Sequence, residues 1–351
     1  MSTTSDTPEV QPDPVPPNAP DPAAPGQMAR RIAQLGSLRV ALVLAVIWIV
    51  FQSQNDNFLS SFNLTNLVLQ IAPVGMISIG VVLILLLGEI DLSVGAVSGL
   101  AAAVMAVLNV KHGWGPLESI AAGLATGAAI GALNGFFTTK FQIPSFVVTL
   151  AGLLAWQGAL LLVLGDTGTV NLNDETITGI AGTFYGSVVG WILVIAVVGG
   201  FALSGWLERA RRRRAGLALP SLRGYVLRVI FVAVGAIAAT LVLLDDRGIP
   251  LSGLILVGAC GIGAFVTTRT AWGRHVFSTG GSAEATRRAG ISVTRIRMIV
   301  FISCSTLAAF GGMMAAYLVS GGNAFWTFSG GLTGLISASA GNDLYHPAVA
   351  P

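Results

Sequence analysis

The chain has 351 residues, of which 54% are hydrophobic and only 10% are charged, and its mean hydropathy is +0.78. Soluble domains carry about a quarter charged residues. The composition therefore excludes an ordinary soluble protein and indicates a membrane protein with room for about ten spans of roughly 20 residues. The net charge is +3, but the basic residues lie in short segments between apolar runs, so they indicate membrane topology rather than nucleic-acid binding.

The N-terminal segment differs in composition from the rest of the chain. Eight of the fifteen prolines fall in the first 27 residues, together with four acidic residues and few side chains that could be buried. We predict that residues 1–30 form a disordered, Pro-rich cytoplasmic tail. The first apolar run begins near Leu38, after Arg30 and Arg31, and no small-residue cleavage site follows it. A cleaved signal peptide is therefore not expected.

Nine apolar runs follow, each a candidate for a membrane-spanning helix. The predicted fold class is therefore all-α, a polytopic transmembrane helical bundle in which helix formation pairs every backbone polar group inside the bilayer. The transmembrane domain is predicted at 31–320. The nine predicted spans are 38–54, 67–87, 92–110, 117–138, 145–165, 188–206, 225–244, 252–271 and 298–319.

The distribution of charge predicts the orientation of these spans. If the N-terminus lies in the cytoplasm and the spans alternate, seventeen of the nineteen Lys and Arg residues fall on the cytoplasmic side, in accord with the positive-inside rule. Only Lys111 and Arg247 fall outside. The sequence GEIDLS, at residues 88–93, then lies at a tight cytoplasmic turn between the second and third spans.

Two acids occupy this turn, Glu89 and Asp91. A charge at the bilayer centre costs roughly 2.5–3.5 kcal/mol on insertion scales, and a position near the interface reduces that cost. Asp91, followed by Leu92 and Ser93, fits an N-cap at the start of the third span, and we favour this structural role. For Glu89, gating or pairing with a basic partner and a simple role as a turn acid stay equally open.

Glycine recurs at every fourth position of the fourth span, at Gly123, Gly127, Gly131 and Gly135. In lipid, a ridge of small residues lets another helix approach closely, because packing rather than hydrophobicity drives helix association there. We therefore predict a helix-packing ridge. The alternative is that small residues are simply common in membrane helices.

The sequence contains no catalytic constellation. It has no nucleophile elbow and no His-Glu zinc motif, and its two cysteines and three scattered histidines have no metal-ligand spacing. A phosphate-binding ATPase loop needs Gly-Lys-Ser/Thr, yet Lys111 is followed by His112 and Lys140 by Phe141. We expect that the chain is not an enzyme and binds no metal or cofactor, so any energy that it uses comes from a partner or a gradient.

The polar segment 272–297 is the most informative connection between spans. We predict a short helix from Ser282 to Ala289, with Ser282 as its N-cap and Gly290 at its end. Glu284 lies in its first turn, and Arg287 and Arg288 lie in its last turn, where the helix dipole favours each charge. Such a helix could dock on a soluble subunit or lie on lipid headgroups, and the residues alone favour neither.

Three segments of the sequence resemble one family in their order and spacing. They are GEIDLSVGAVSGLAAAVMA, ALNGFFTTKFQIPSFVVTLAGL and GRHVFSTGGSAEATRRAGISVTRIRMIVFISCSTLAAFGGMMAA. The family is that of the membrane permeases of bacterial ATP-binding cassette (ABC) importers for monosaccharides such as ribose, xylose and galactose. The resemblance covers about residues 38–320. An additional span near 225–244, after the sequence RARRRR, is similar to the longer xylose-type permeases.

This resemblance implies a transport system with several subunits. Two permease copies form the pathway in the inner membrane, a tandem ATPase that holds ATP and Mg²⁺ docks on the cytoplasmic loops, and a sugar-binding protein delivers substrate from outside. Transport would proceed by alternating access. The implied ATPase-coupling residues are Gly280, Gly281, Glu284, Ala285, Gly290 and Ile291. The implied signature turn comprises Gly88, Glu89, Asp91, Ser93 and Gly95.

The substrate is expected to be a monosaccharide, with a pentose such as xylose favoured by the resemblance. A neutral sugar needs aromatic and amide groups rather than a counter-charge, and the residues of the right type are Asn134, Gln157 and Trp156, with Gln142 and Phe146. Two rival functions are a gradient-driven secondary carrier and a non-transporting membrane scaffold. Residues 321–351 contain no 18-residue apolar run; we predict an atypical, truncated tail that ends outside after nine spans.

Overall fold

Helices account for most of the residues that the structure describes. The structure is a computed structural model, and it describes residues 42–165, 170–219 and 221–320. Twelve helices and one pair of two-residue strands are present within these ranges. In chain order they are α1 (Leu42–Gln54), α2 (Ser61–Leu86), α3 (Val94–Val110), α4 (Pro116–Lys140), α5 (Ser145–Leu164), α6 (Glu175–Gly182), β1 (Phe184–Tyr185), α7 (Ser187–Arg214), α8 (Leu222–Asp245), β2 (Ile249–Pro250), α9 (Leu251–Arg269), α10 (Ala271–Gly281), α11 (Ala283–Arg288) and α12 (Val293–Ser320).

The predicted fold class, a polytopic helical bundle, is confirmed. Among the described residues, seven helices are long and apolar enough to cross a membrane, namely α2, α4, α5, α7, α8, α9 and α12. The shorter apolar helices α1 and α3 coincide with the first and third predicted spans. The predicted tail at 1–30 and the predicted C-terminal segment at 321–351 lie outside the described residues.

The helices differ from the prediction in several places; α7, for example, continues to Arg214 instead of ending near residue 206. α2 begins before residue 67 because Ser60 caps it, its Oγ accepting the N–H of Asn63 at 3.3 Å. α12 begins at Val293, so its first two turns include Arg295 and Arg297, which hydropathy had excluded. Within the polar segment 272–297, residues 272–281 form most of α10, a helix that sequence analysis did not predict. The hydroxyl of Thr270 caps α10 by accepting the N–H of Gly273 at 3.2 Å.

α12 is the central helix of the bundle and makes its most extensive contacts with α4, α2 and α3. Phe301, Cys304, Ala308 and Met314 on this helix are fully buried. Glycines on the neighbouring helices allow this packing. A Cβ atom added at Gly80 of α2 would lie 2.9 Å from the carbonyl oxygen of Cys304. α12 therefore occupies the tightly packed centre of the bundle.

The four regularly spaced glycines of α4 face α12. A Cβ atom added at Gly127 would lie 2.5 Å from the Cβ of Ala309, and one at Gly131 would lie 2.5 Å from the carbonyl oxygen of Phe301. Gly123 contacts Met313 and Gly135 contacts Met298 in the same way. Residue numbers rise along α4 as they fall along α12, so the two helices are antiparallel. The absence of side chains at these positions lets the two backbones approach closely.

The helix directions place most of the arginines at one end of the bundle, which we term the basic end. α2 and α12 are antiparallel, since Gly311 lies beside Pro73 and Gly80 beside Cys304. α2 and α9 are parallel, since Gly253 lies beside Val68 and Gly263 beside Ile79. The basic end therefore carries the last turns of α2, α4, α7 and α9 and the first turns of α8 and α12.

The opposite end of the bundle carries the strand pair and several acids. β1 and β2 pair antiparallel, with Tyr185 opposite Ile249. Ser61 donates to the carboxylate of Asp245 at 2.8 Å, which joins the start of α2 to the end of α8. The ammonium group of Lys111 donates to the carbonyl oxygen of Leu164 at 2.8 Å.

The described residues 42–59 belong to a compact unit of their own. In its described part, the side-chain rings of Phe51 and Phe58 stack with centroids 5.4 Å apart. The amide oxygen of Gln52 accepts the N–H of Leu59 at 2.9 Å. These two contacts fold the chain after α1 back onto the last turn of that helix.

Candidate functional site

The signature loop, residues 88–93, connects α2 to α3 at the basic end. Gly88 ends α2 with a φ of +75°, a conformation that favours glycine. The N–H of Gly88 donates to the carbonyl oxygen of Leu85 at 2.9 Å, and the N–H of Glu89 donates to that of Ile84 at 3.3 Å. This arrangement is a Schellman motif, which satisfies the last carbonyl groups of α2 and turns the chain sharply.

Two hydroxyl groups of α5 hold the signature loop from the side. The N–H of Ile90 donates to the Oγ of Ser145 at 3.1 Å, and the N–H of Leu92 donates to the Oγ1 of Thr149 at 3.1 Å. Both hydroxyl-bearing residues are buried. Sequence analysis missed Ser145 and Thr149. Their spacing of one helical turn directly after Pro144 was the available signal.

Asp91 closes the turn before α3 but is not the N-cap of that helix. The N-cap is Ser93, and the Oδ1 of Asp91 accepts the N–H of Ser93 at 2.8 Å and its hydroxyl at 2.6 Å. Asp91 is only 8% exposed, and its Oδ2 has no hydrogen-bond partner among the described residues. Burial raises the pKa of this carboxyl, against the opposing effect of the bonds from Ser93. The predicted cap is therefore wrong in its geometry, because α3 begins two residues later than expected.

The side chain of Asn134 joins α4 to the signature loop. Its Nδ2 donates to the Oγ of Ser93 at 3.1 Å, and the residue is only 2% exposed. A Cβ atom added at Gly152 of α5 would lie 2.9 Å from the Nε1 of Trp156 and 3.6 Å from the Oδ1 of Asn134. The structure thus brings Asn134 and Trp156 together around Gly152. Gln157 is half-buried on the next position of α5.

The other two aromatic and amide residues suggested by the sequence lie apart from this cluster. Gln142 and Phe146 are both exposed, before and within the first turn of α5. The indole N–H of Trp156, in contrast, is buried and has no hydrogen-bond partner within the described ranges. Of these candidates, only Asn134 and Trp156 lie together, and they lie directly beside the signature loop.

Glu89 pairs with a basic residue of α12. The carboxylate Oε1 of Glu89 lies 3.1 Å from the Nη2 of Arg297, and the two side chains are 14% and 30% exposed. Arg297 lies near the start of α12, soon after the turn that follows α11. The ion pair thus connects the signature loop to the start of α12.

The α10–α11 element packs on the end of α2 through its glycine. A Cβ atom at Gly280 would collide with the carbonyl oxygen of Leu86, so this position has no room for a side chain. Val276 of α10 is fully buried in a core cluster, against which Trp272 and Ile291 also pack. One side of the element is therefore continuous with the core of the bundle.

The other side of the α10–α11 element is exposed. Ser282 caps α11 by accepting the N–H of Ala285 at 3.2 Å. Glu284 forms ion pairs with Arg287 at 3.0 Å and Arg288 at 3.1 Å, and all three side chains are more than half exposed. Gly290 ends the helix with a φ of +80°.

The six residues implied to couple to an ATPase therefore divide into two groups. Gly280 and Ile291 contact the bundle. Gly281, Glu284, Ala285 and Gly290 are exposed, and nothing lies within 4 Å of a Cβ atom added at Gly281. These last four residues are therefore accessible to a partner at the basic end. No group of three or more His, Cys, Asp or Glu that could hold a metal occurs in the described part of the chain.

A helical bundle of this kind, with a signature loop clamped between helices and an exposed short helix at one end, is that of a polytopic membrane protein. The family described as "Branched-chain amino acid transport system / permease component" matches residues 63–338. The chain belongs to this family, whose members are permease subunits of ABC transporters and are not themselves enzymes. The match continues past residue 320, where sequence analysis had placed the end of the resemblance.

Several curated relatives are monosaccharide permeases, as the resemblance had implied. The chain is 34% identical to the xylose transport system permease protein XylH of Escherichia coli K12 over 81% of this chain and 72% of the relative. It is 29% identical to the ribose import permease protein RbsC of Bacillus subtilis over 77% and 65% of the two chains. It is 27% identical to the fructose import permease protein FrcC of Rhizobium meliloti over 73% and 56%. No solved structure matches the chain.

Proposed function

We propose that this chain is the membrane subunit of an ATP-driven importer that moves a monosaccharide, a pentose such as xylose, into the bacterial cytoplasm by alternating access. The observation that carries the proposal is the α10–α11 element, which is packed on the core on one side and exposed on the other. The names of the relatives support the sugar class. A separate sugar-binding protein delivers substrate outside, and a second copy of this chain completes the pathway.

The basic end faces the cytoplasm in this proposal, with the N-terminus on the same side. The positive-inside rule supports this orientation, because the arginines of α7, α8, α10, α11 and α12 lie at that end. A tandem ATPase docks on the exposed residues Gly281, Glu284, Ala285 and Gly290. ATP and Mg²⁺ are bound by that partner, and this chain requires no cofactor of its own.

Movement of the ATPase pair reaches the bundle through α11. A turn of only four residues connects α11 to α12, which is the most buried of the candidate spans. Gly280 against Leu86 and Glu89 against Arg297 connect the same region to α2 and to the signature loop. A displacement of α11 therefore shifts α12 and the signature loop together, which changes access along the helices that contact them.

The polar groups beside the signature loop suit a neutral sugar. The indole N–H of Trp156 and the amide of Asn134 can exchange hydrogen bonds with hydroxyl groups, and an aromatic face can cover the apolar side of a sugar ring. Gln157, on the adjacent face of α5, adds a second amide. These three residues are our candidates for substrate contact.

Co-purification with the ATPase tests the docking surface. Gly281→Trp adds a large side chain where nothing lies within 4 Å, so it should leave the bundle folded and remove ATPase binding. Gly186→Trp is the matched control, because Gly186 is equally open but precedes α7 at the opposite end. Equal ATPase recovery with both variants would contradict docking at α11.

A gradient-driven carrier is the second candidate. The buried carboxyl of Asp91 is the observation that favours it, since such carriers bury titratable acids, but Asp91 lies in the signature loop between α2 and α3 and not within a span. Xylose uptake by cells that carry the complete system separates the two. The importer requires uptake to stop when the ATPase subunit is deleted and to persist initially with an uncoupler while ATP is maintained. The opposite pattern would establish the carrier.

A further inference from the structure

The hairpin of α7 and α8 has features that the proposed transport function does not use. Its two helices pack mainly on each other, and side chains along both flanks are open, for example Ile195 at 71% and Phe231 at 80% exposed. Tyr225 fastens the pair near the basic end: its hydroxyl donates to the carbonyl oxygen of Ala202 at 2.6 Å, and its ring lies against Gly205. The hairpin is thus a defined structure with apolar sides.

The basic end of this hairpin carries an unusual concentration of charge. Residues 208–228 hold seven arginines and one acid, a net charge of +6, whereas the whole chain has a net charge of +3. The seven arginines are Arg209, Arg211, Arg212, Arg213, Arg214, Arg223 and Arg228. A helix C-terminus favours a few cations, but seven arginines are more than stabilisation of the α7 dipole accounts for.

Few of these arginines are neutralised by the protein itself. Glu208 pairs with Arg212 at 2.9 Å, and the guanidinium of Arg209 lies 5.7 Å from the ring centroid of Tyr225. Arg211, Arg213 and Arg214 are exposed and make no ion pair within the described residues. Three guanidinium groups at the end of one helix therefore lack an anion from the described part of the chain.

The length of α7 places these groups at the level of lipid phosphates. Its apolar part, residues 187–207, is about 31 Å long at ~1.5 Å per residue, which matches the roughly 30 Å hydrocarbon core of a bilayer. The arginines begin immediately beyond it. Exposed apolar residues accompany them, with Trp206 at 61% and Leu217 at 59% exposed, as is typical of segments that lie at the membrane interface.

We propose that residues 208–228 bind the phosphate groups of anionic phospholipids, such as phosphatidylglycerol, at the rim of the α7–α8 hairpin. Arg211, Arg213 and Arg214 supply bidentate contacts to phosphate oxygens. The exposed flanks of α7 and α8 hold the acyl chains of the same lipids. The charge and the adjoining apolar surface together favour a lipid over an acidic protein, which would need no apolar flank.

Retention of lipid by the purified full chain tests this proposal. The chain in detergent is incubated with equal amounts of dioleoyl phosphatidylglycerol and dioleoyl phosphatidylcholine, and bound lipid is counted by native mass spectrometry. The unsubstituted chain should retain the anionic lipid preferentially. Arg211→Gln, Arg213→Gln and Arg214→Gln combined should weaken that retention at least tenfold, because each interfacial basic residue contributes roughly fivefold.

Two control variants and one competitor test whether retention depends on these particular arginines and on the lipid. Arg269→Gln, Arg274→Gln and Arg295→Gln remove the same charge from exposed positions at the basic end outside the hairpin and should retain the lipid. Replacement of Arg211, Arg213 and Arg214 by Lys should keep most of the retention, since the charge is kept. Inorganic phosphate at millimolar concentration should not displace the lipid.

The following results would overturn the proposal. Equal retention of both lipids by the unsubstituted chain would do so, as would an equal loss with the control triple substitution or a loss with the Lys variant. Unchanged retention in the Gln variant together with loss of ATPase co-purification would assign this surface to the protein partner instead. An unchanged size-exclusion profile of the Gln variant shows that any loss of lipid does not result from misfolding.

Discussion

The carboxylate of Glu89 lies 3.1 Å from the guanidinium of Arg297, and this ion pair joins the loop before α3 to the beginning of α12. Both side chains are largely buried, so solvent screens the pair less than it would a surface pair. The pair uses the Nη2 of Arg297, while its Nε is buried and has no hydrogen-bond partner among the described residues. The sequence left two roles open for Glu89, and the structure contains the pairing with a basic residue.

Removal of one partner should destabilise the protein. We expect Glu89→Gln or Arg297→Gln to lower the free energy of unfolding by about 1–3 kcal/mol, because each leaves a partly buried charge without its counter-ion. The exchange of both, Glu89→Arg with Arg297→Glu, should recover part of the loss. Thermal unfolding of the detergent-purified chain measures the effect. Glu284→Gln is the control, since its exposed ion pairs should contribute less than about 1 kcal/mol; an equal effect of Glu284→Gln would contradict this prediction.

The glycine ridge of α4 should not tolerate a methyl group. Gly127→Ala places a Cβ atom 2.5 Å from Ala309, so α12 has to move, and overpacking of this kind costs about 1–3 kcal/mol. The matched control is Gly235→Ala in α8, where nothing lies within 4 Å of the added atom and helix propensity should stabilise by ~0.5–1 kcal/mol. Unfolding midpoints that shift in the same direction for both variants would refute the importance of the ridge.

The hydroxyl of Thr149 should matter more than that of other threonines in the bundle. Thr149→Val removes the acceptor for the N–H of Leu92 and leaves that group unpaired, at a cost of about 1–3 kcal/mol. Thr126→Val serves as the control, because Thr126 bonds only to Ala122 within its own helix among the described contacts. Amide hydrogen exchange at Leu92 should accelerate in the first variant and stay unchanged in the second.

Substitution can separate the two properties of Asp91, its hydrogen-bond-accepting oxygen and its negative charge. Asp91→Asn keeps an oxygen that can accept both bonds from Ser93 and removes a buried charge, so we expect stability at neutral pH to be equal or higher. Asp91→Ala loses the acceptor and should be less stable by about 1–3 kcal/mol. A lower unfolding midpoint for Asn than for Ala would contradict this interpretation.

The pH dependence of stability gives a second measurement on Asp91. Because burial raises its pKa, the folded chain holds the proton more tightly than the unfolded chain. Its contribution to stability is therefore full below the ordinary carboxyl pKa and is lost as the pH rises through the raised pKa. Asp91→Asn should flatten this decline between acidic and neutral pH. A pH profile identical to that of the unsubstituted chain would refute the predicted contribution of Asp91.

The proposed orientation can be tested with cysteine labelling. In a chain with Cys260→Ala, Ser282→Cys and Gly186→Cys each introduce an exposed thiol at opposite ends of the bundle, while Cys304 is fully buried. A membrane-impermeant maleimide should label Gly186→Cys in intact cells and Ser282→Cys only after lysis. The reverse pattern would place the basic end outside.

The sequence by itself determined the long apolar helices, the family and the short capped helix α11. Uninterrupted apolar runs have one stable conformation in a bilayer, because only helix formation pairs their backbone groups. The glycine spacing also indicated which face of α4 packs, though not its partner. α10 escaped prediction because its mixed sequence, WGRHVFSTGG, carries little apolar signal and is helical through burial of Val276 and the cap at Thr270.

Only the tertiary structure decided how the signature loop is held. Ser145 and Thr149 bond to residues 55 and 57 positions earlier in the chain, and Arg297 lies still farther from Glu89. Periodicity and propensity report local conformation, whereas these contacts depend on which helices become neighbours after α12 enters the centre of the bundle. Asp91 is likewise a buried turn residue instead of a helix cap, because its carboxylate accepts both the N–H and the hydroxyl of Ser93, which is itself the N-cap of α3.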